Sequence, residues 1–340
     1  MRRSQAAFSL IELLTATAIL MLLLVVVFLA VSETGKIWRR SSDKIGAFED
    51  ARTAFETLTR TLSQATLTTY YEYFDSAGIP ASDPAFNGTP ARYGRQSDLH
   101  FLVGKSQTPL VSGQVTHAVF FQAPLGESGK TYEALGSLLN ACGYFIRFGD
   151  DTSASSLSGR PAFLDSALPA QMRYRLLALS QPAEDLSIFA TTGNQWFTTP
   201  LAQSPPQVRV LAENVIALVV LPKETDSVEA SIPEAQRIGA SYTYDSRTGW
   251  SGTSQPATMN QLCPAIRLAM VVIDETSARR LQSESATPPE LGFAYDGLFF
   301  EAANLDADLQ TVADGLASKR IGYRIFRTEI PLRSARWSAR

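Results

Sequence analysis

The segment from Pro124 to Thr131 holds the residues of this chain most suggestive of chemistry. It reads Pro-Leu-Gly-Glu-Ser-Gly-Lys-Thr and nearly matches the phosphate-binding pattern G-x-x-x-x-G-K-[ST]. In a nucleotide site Lys130 would contact the phosphates and Thr131 a metal ion, while Asp274, near the end of the apolar run 268–275, would lie in the metal's outer shell. However, Pro124 replaces the first glycine, and proline lacks the N–H and the conformational range that a phosphate loop uses. The sequence therefore favours a tight hairpin turn and an ordinary buried strand over an NTPase.

Acidic residues form two groups that resemble calcium ligands. The first is Asp150-Asp151, and the second comprises Asn304, Asp306, Asp308 and Asp314. The spacing of an EF-hand loop fails in the second group, because Gln310 and Thr311 stand where an acid or amide and a glycine are needed. Surface turns and an acidic helix start explain both groups more simply, so the sequence predicts no metal and no cofactor.

Two cysteines and two histidines complete the reactive residues. Cys142 and Cys263 lie in apolar surroundings; outside the cytoplasm they could form a disulfide closing a loop of ~120 residues, worth roughly 4–5 kcal/mol in the chain-entropy model. Two buried free thiols are the open alternative. His100 and His117 have no recognisable partner in the sequence, and the pattern G-x-S-x-G is absent. The chain is therefore not predicted to be an enzyme.

Composition narrows the class of protein further. Of the 340 residues, 45% are hydrophobic and 19% are charged, which indicates a folded chain rather than a disordered one. The net charge of −3 argues against a nucleic-acid partner, because proteins that bind phosphate backbones are usually basic.

One uncharged run near the N-terminus is long enough to cross a membrane. Residues 13–32 carry no charge, and Ala18–Val31 has no polar side chain at all. At ~1.5 Å per residue a helix of this length spans about 30 Å, the thickness of the hydrocarbon core of a bilayer. No second run of this kind follows, so the sequence predicts a single membrane-spanning helix. Positive charges flank the run on both sides: Arg2, Arg3, Lys36, Arg39 and Arg40.

A carboxylate, Glu12, stands at the start of this run, within Ala7-Phe8-Ser9-Leu10-Ile11-Glu12-Leu13-Leu14. This segment resembles the N-terminus of type IV pilins and type II secretion pseudopilins. The resemblance implies that a prepilin peptidase removes residues 1–7 as a leader by cutting between Ala7 and Phe8. It also implies N-methylation of Phe8 and a role for Glu12 in assembly. The chain departs from the family in having Ala7 where glycine usually precedes the cut.

An ordinary secretory signal is the rival interpretation of the N-terminus. Ala30-Val31-Ser32 forms an acceptable cleavage site of the small-x-small type. The apolar run is, however, longer than the ~7–15 residues of a signal peptide core. Signal cleavage also leaves Glu12 without an explanation, so the pilin-type interpretation is preferred.

The helix is predicted to continue beyond the membrane. Phe48, Phe55 and Leu62 recur every seven residues, as do Ala51, Leu58 and Ala65, which gives one apolar stripe. Glu56 and Arg60 lie off the stripe as a favourable i,i+4 pair. We predict a helix from Phe8 to about Tyr70, with a membrane half at 8–31 and an amphipathic half within 32–74. A membrane anchor joined to a separate coiled segment is the alternative.

The remaining residues, 75–340, are predicted to form a β-rich head. The predicted strands are rich in Val, Ile, Phe and Tyr: 98–103, 115–122, 144–148, 172–179, 208–211, 215–221, 265–273 and 323–332. The predicted loops are polar and rich in Pro, Gly and Ser: 76–95, 150–169, 199–207 and 222–260. Short helices are predicted at 276–283 and 305–318. A long helix followed by strands indicates an α+β fold with an antiparallel sheet packed on the helical spine.

Parts of the head carry a second, weaker resemblance. Four stretches resemble the J-type minor pseudopilins and, more closely, the Verru_Chthon cassette protein C group: residues 48–67, LAENVIALVV at 211–220, CPAIRLAMVVIDE at 263–275 and YRIFRTEIPLRSARW at 323–337. The resemblance implies a minor pilin-like subunit that is held in the inner membrane with its head in the periplasm. It also implies that the subunit joins other pilin-like subunits through its N-terminal helix and lies in an extracellular filament after assembly. A single-pass, membrane-anchored binding module that never enters a filament is the alternative.

Overall fold

The computed structural model describes residues 10–130, 135–152, 160–203, 207–281 and 287–337. The chain divides into two compact units, one ending at Gly46 and the other comprising Ala47–Arg340. The described residues confirm the α+β class. Their helices are α1 Leu10–Leu62, α2 Gln195–Ala202, α3 Asp226–Glu229, α4 Glu275–Leu281 and α5 Leu305–Ser318. Their strands are β1 Tyr70–Phe74, β2 Arg92–Gln96, β3 Leu102–Gly104, β4 Gln114–Pro124, β5 Leu139–Gly149, β6 Arg173–Gln181, β7 Val208–Glu213, β8 Val215–Lys223, β9 Tyr244–Asp245, β10 Ala265–Ile273 and β11 Tyr323–Pro331.

The last part of helix α1 packs through the predicted stripe. Its buried apolar residues in the second unit are Ala51, Ala54, Phe55, Leu58 and Leu62. This spacing of three and four residues places all five on one helix face. The exposed face carries the ion pair between Arg52 Nε and Glu56 Oε1 at 2.8 Å. The predicted stripe is therefore confirmed, whereas Glu56 pairs with Arg52 rather than with Arg60.

The predicted end of the helix near Tyr70 is wrong, because α1 ends at Leu62. The chain turns at Ser63-Gln64, and the Thr66 N–H donates to the Gln122 carbonyl at 2.9 Å. Residues 66–73 are mostly threonine and tyrosine, which favour extended backbone over helix. Residues 70–74 therefore form β1, and the amphipathic half predicted within 32–74 does not reach its predicted end.

Three antiparallel sheets form the head. The largest has the strand order β7-β6-β5-β4-β3-β9, the second has the order β11-β10-β8, and the third consists of β1 and β2. Strands β4, β5 and β8 are buried along most of their length. Strand β8 begins with a continuous apolar run, as expected for a strand with both faces in the core, whereas β4 also buries polar side chains such as Thr116, His117 and Gln122.

Two side chains of β4 accept hydrogen bonds from backbone N–H groups of β8, on the edge of β8 that does not pair with β10. The Leu218 N–H donates to Thr116 Oγ1 at 2.9 Å, and the Val220 N–H donates to His117 Nδ1 at 3.0 Å. The two larger sheets are thereby joined without continuing one hydrogen-bond ladder into the next. This junction keeps buried N–H groups of β8 paired, as the interior of a protein requires.

Several predicted boundaries need correction. The predicted strand 98–103 reduces to Leu102–Gly104, and the predicted loop 76–95 includes most of β2. Strands β1 and β9 and helices α2 and α3 were not predicted. Strand β10 and helix α5, in contrast, have the predicted bounds of 265–273 and 305–318.

Candidate functional site

The N-terminal apolar segment is the most unusual surface of the described chain. Leu13–Ser32 has a mean hydropathy of 2.9 and is long and apolar enough to cross a membrane, and none of its residues whose burial the structure describes is buried. Large side chains such as Leu22, Val26 and Phe28 are 66%, 54% and 75% exposed. Water disfavours an apolar surface of this extent, so the segment requires a lipid or protein environment.

The two threonines of the segment Leu13–Ser32 are compatible with an apolar environment. Thr15 Oγ1 donates to the Ile11 carbonyl and Thr17 Oγ1 donates to the Leu14 carbonyl, each at 3.0 Å. Both hydroxyl groups are therefore paired within the helix, which lowers the cost of removing them from water. Glu12 is the third described residue of α1, and the Ala7–Phe8 junction lies outside the described residues.

The segment resembling a phosphate loop is occupied by an internal carboxylate. Glu184 accepts hydrogen bonds from the Ser128 hydroxyl and, at 3.0 Å, from the Gly129 N–H. These two donors, the hydroxyl first, lower the pKa of Glu184 to about 2. A backbone N–H that a phosphate would need is therefore already bound to a carboxylate.

The surroundings of this loop also differ from those of an NTPase. Residues 135–138 form a turn that leads into β5, so the described residues after the loop contain no helix whose N-terminus could hold a phosphate. Thr131 lies outside the described residues. Asp274 accepts a hydrogen bond from the Ser277 N–H at 2.7 Å and thereby caps α4. The sequence's preference for a turn and an ordinary strand is consistent with this geometry.

The two cysteines are buried free thiols, so the candidate disulfide between Cys142 and Cys263 is not formed in this structure. Burial raises the pKa of Cys142 to about 12 and also raises that of Cys263. Both groups are therefore protonated at neutral pH and are poor nucleophiles.

The acidic residues considered for calcium are used within the fold. Asp151 accepts from the Gln171 N–H at 2.7 Å, Asp306 pairs with Arg327 at 2.8 Å, and Asp308 accepts from the Phe299 N–H at 2.7 Å. Across the described residues, no three His, Cys, Asp or Glu side chains converge as metal ligands. Their carboxylates act in turns, caps and ion pairs.

Comparison with known families identifies the N-terminal segment. The family model described as Prokaryotic N-terminal methylation motif matches residues 2–28. The chain carries a prokaryotic N-terminal methylation motif. No curated protein and no solved structure matches the chain.

The methylation motif covers Ala7, Phe8, Glu12 and most of the exposed apolar segment. It supports a type IV pilin-like protein and indicates a structural subunit rather than an enzyme. Proteins with this motif are processed by prepilin peptidase and assemble with other pilins. The apolar helix at the N-terminus fits the membrane anchor of such a protein.

Beyond the methylation motif, the structure gives both histidines partners that the sequence did not reveal. Trp196 Nε1 donates to His100 Nδ1 at 3.1 Å, and His100 Nε2 lies 2.8 Å from Asp245 Oδ1. Both ring nitrogens are thus engaged, which leaves neither to act as a base on a substrate. These partners lie 96 and 145 residues away along the chain, so local sequence carried no signal for them.

His117 lies on β4 and is buried between β4 and β8. Its Nδ1 accepts from the Val220 N–H, so its Nε2 carries the proton and donates to the Phe299 carbonyl at 3.2 Å. Burial lowers the pKa of His117 to about 4, which keeps the ring neutral. The ring joins β4 to β8 and has a structural role.

Proposed function

We propose that this chain is a minor pilin-like structural subunit, a pseudopilin, of a filament of the type II secretion or type IV pilus kind. Prepilin peptidase cuts between Ala7 and Phe8, the new Phe8 amine is methylated, and the helix is stored in the inner membrane. The head lies in the periplasm and, after assembly, on the filament exterior. The sequence resemblance of the head to the J-type minor pseudopilins and the Verru_Chthon cassette protein C group supports the minor-subunit role.

A single observation carries this proposal: one uninterrupted helix begins in the methylation motif and ends in the core of the head. Helix α1 exposes the described apolar side chains of Leu13–Val31 and buries a stripe from Ala51 to Leu62. A cleavable signal peptide needs no such continuation. A helix that serves first in lipid and then among other helices needs an apolar surface on all sides.

Glu12 is the residue through which assembly can be tested. In a filament the apolar helices contact one another, and an unpaired buried carboxylate costs several kcal/mol. The amine of Phe8, on the same or a neighbouring subunit, supplies the positive partner. Pairing these two groups also fixes the axial register of the incoming helix.

The experiment compares wild type, Glu12→Gln and Glu12→Leu in membrane fractions and in filaments sheared from cells. We expect all three proteins in the membrane, because neither substitution makes the apolar helix harder to insert. Filament incorporation should fall in both variants because each lacks the charge. Equal incorporation of all three proteins would remove the assembly role of Glu12.

A membrane-anchored binding module remains the second candidate, and a groove in the head favours it. The groove has a volume of about 490 Å³, and its lining includes Phe74, Phe189, Asp98 and Arg247. Pockets that bind small molecules have volumes of roughly 300–1,000 Å³. If wild-type protein is found only in membrane fractions and never in filaments, this candidate replaces the pseudopilin.

A further inference from the structure

Strand β11 forms an open edge of the second sheet. The sheet order is β11-β10-β8, and all nine residues of β11 pair with β10 on one side. Across the described part of the chain, no strand pairs with the other side of β11. An unpaired strand edge of this length is a template for one more strand.

Each face of β11 contacts a helix, so an added strand would continue an existing layer. Phe326 contacts Phe55 of helix α1, with 5.6 Å between the ring centroids. Arg327, the next residue, pairs with Asp306 of helix α5 at 2.8 Å. Because neighbouring side chains of a strand point to opposite faces, α1 and α5 lie on the two sides of β11.

The surface around this edge is strongly basic. Four exposed arginines, at positions 320, 324, 333 and 336, lie in or beside β11 and have no ion pair within the described chain. The carboxylate of the strand itself, Glu329, is held by Lys223 at 3.2 Å. By contrast β7, an edge strand of the largest sheet, carries one arginine and one glutamate. The excess positive charge is therefore a property of the β11 edge.

From this edge and its charge we propose that β11 is the docking site for an extended acidic segment of another protein, which adds to the sheet as a fourth strand. Backbone hydrogen bonds to β11 would provide the attachment, and carboxylates facing the four arginines would select the partner. The proposal concerns the head alone and does not depend on filament assembly.

A second copy of this chain is the less suitable occupant. Pairing β11 with β11 would bring arginines of one copy close to those of the other, and like charges across a strand pair are destabilising. Basic residues on an edge strand also protect proteins against self-association. The alternative is that these arginines only prevent self-association at the edge and bind no partner. The experiment must distinguish this role from docking.

The experiment uses full-length protein in detergent and a fluorescent eight-residue peptide of alternating glutamate and valine. Two control peptides keep its length. In the first control, lysine replaces glutamate. In the second, the two central amides are N-methylated. Because neighbouring amides of a strand point to opposite edges, one of these two amides would face β11. We expect saturable binding of the acidic peptide by fluorescence anisotropy and none of the lysine peptide. N-methylation should weaken binding roughly two- to tenfold, since the one hydrogen bond to β11 that is lost contributes about 0.5–1.5 kcal/mol.

Variants and hydrogen exchange locate the binding. Arg324→Gln should weaken the acidic peptide about two- to fivefold, whereas Arg209→Gln on β7 should leave it unchanged. Amide exchange should slow in β11 and remain unchanged in β7. Lack of binding, equal binding of the N-methylated peptide, or protection confined to β7 would each overturn the proposal.

Discussion

From Leu13 to Val31, helix α1 exposes each side chain that the structure describes, whereas between Ala51 and Leu62 it buries one face in the head. The first stretch is apolar on all sides, and the second is apolar on one side only. A one-sided stripe can be covered by the chain's own strands, but an all-round apolar surface needs an apolar environment. The comparison shows that one helix serves two environments, and its two stretches should respond differently to the same substitution.

The largest difference is expected between Leu58→Ala and Leu22→Ala. Leu58 is fully buried in the head, and its truncation should lower the free energy of unfolding of the head by about 2–5 kcal/mol. Leu22 is 66% exposed, and its truncation should change that free energy by no more than about 0.5 kcal/mol. Urea unfolding in detergent, followed by the fluorescence of the buried Trp196, measures both. Equal losses would contradict the comparison.

A pH effect on stability is expected from the head and not from residues 13–32, which contain no charged residue. The pKa of His117 is about 4 in the folded protein and 6.5 when unperturbed, so the unfolded chain binds the proton first as the pH falls. The stability that neutral His117 contributes is therefore complete above pH 6.5 and is lost progressively toward pH 4, a loss of about 3 kcal/mol.

His117→Gln serves as the matched control for this titration. Glutamine retains an acceptor and a donor but does not titrate between pH 7 and pH 4. We therefore expect the stability difference between wild type and variant to change by about 3 kcal/mol over this range. Parallel pH profiles for the two proteins would show that His117 does not titrate as described.

The smallest effect is expected on the exposed face of the same helix. Arg52 and Glu56 form a pair whose side chains are 71% and 63% exposed. Arg52→Ala should lower the stability of the head by no more than about 0.5 kcal/mol, and added salt should reduce the difference further. A loss as large as that of Leu58→Ala would mean that this face is not the solvent face.

The sequence predicted those elements whose pattern is local. Residues 268–273 of strand β10 are a continuous apolar run and α5 has a helical repeat, and both elements have their predicted bounds. The stripe of α1 was predicted for the same reason. Strand β2, which reads Arg-Tyr-Gly-Arg-Gln, has no such pattern and exists because it pairs with β1. Its pairing partner was itself assigned to the helix, so both strands were missed.

The contacts that the sequence did not predict join residues that are distant along the chain. The hydrogen bond between Ser128 and Glu184 joins residues 56 positions apart, and that between His100 and Asp245 joins residues 145 apart. No local spacing encodes such pairs, because they depend on which strands become neighbours. The methylation motif, in contrast, is read by an enzyme as a linear segment, so its residues could be recognised without the fold.

The most direct test of the pilin-type account is mass spectrometry of the N-terminal peptide of protein extracted from membranes. The account predicts a chain that begins at Phe8 with an N-methylated amine. Ala7→Gly should give the same terminus, and replacement of Ala7 by a bulky residue such as leucine should leave the leader attached. A terminus at Glu33, produced by a signal peptidase, or an intact Met1 in the wild-type protein would contradict the account.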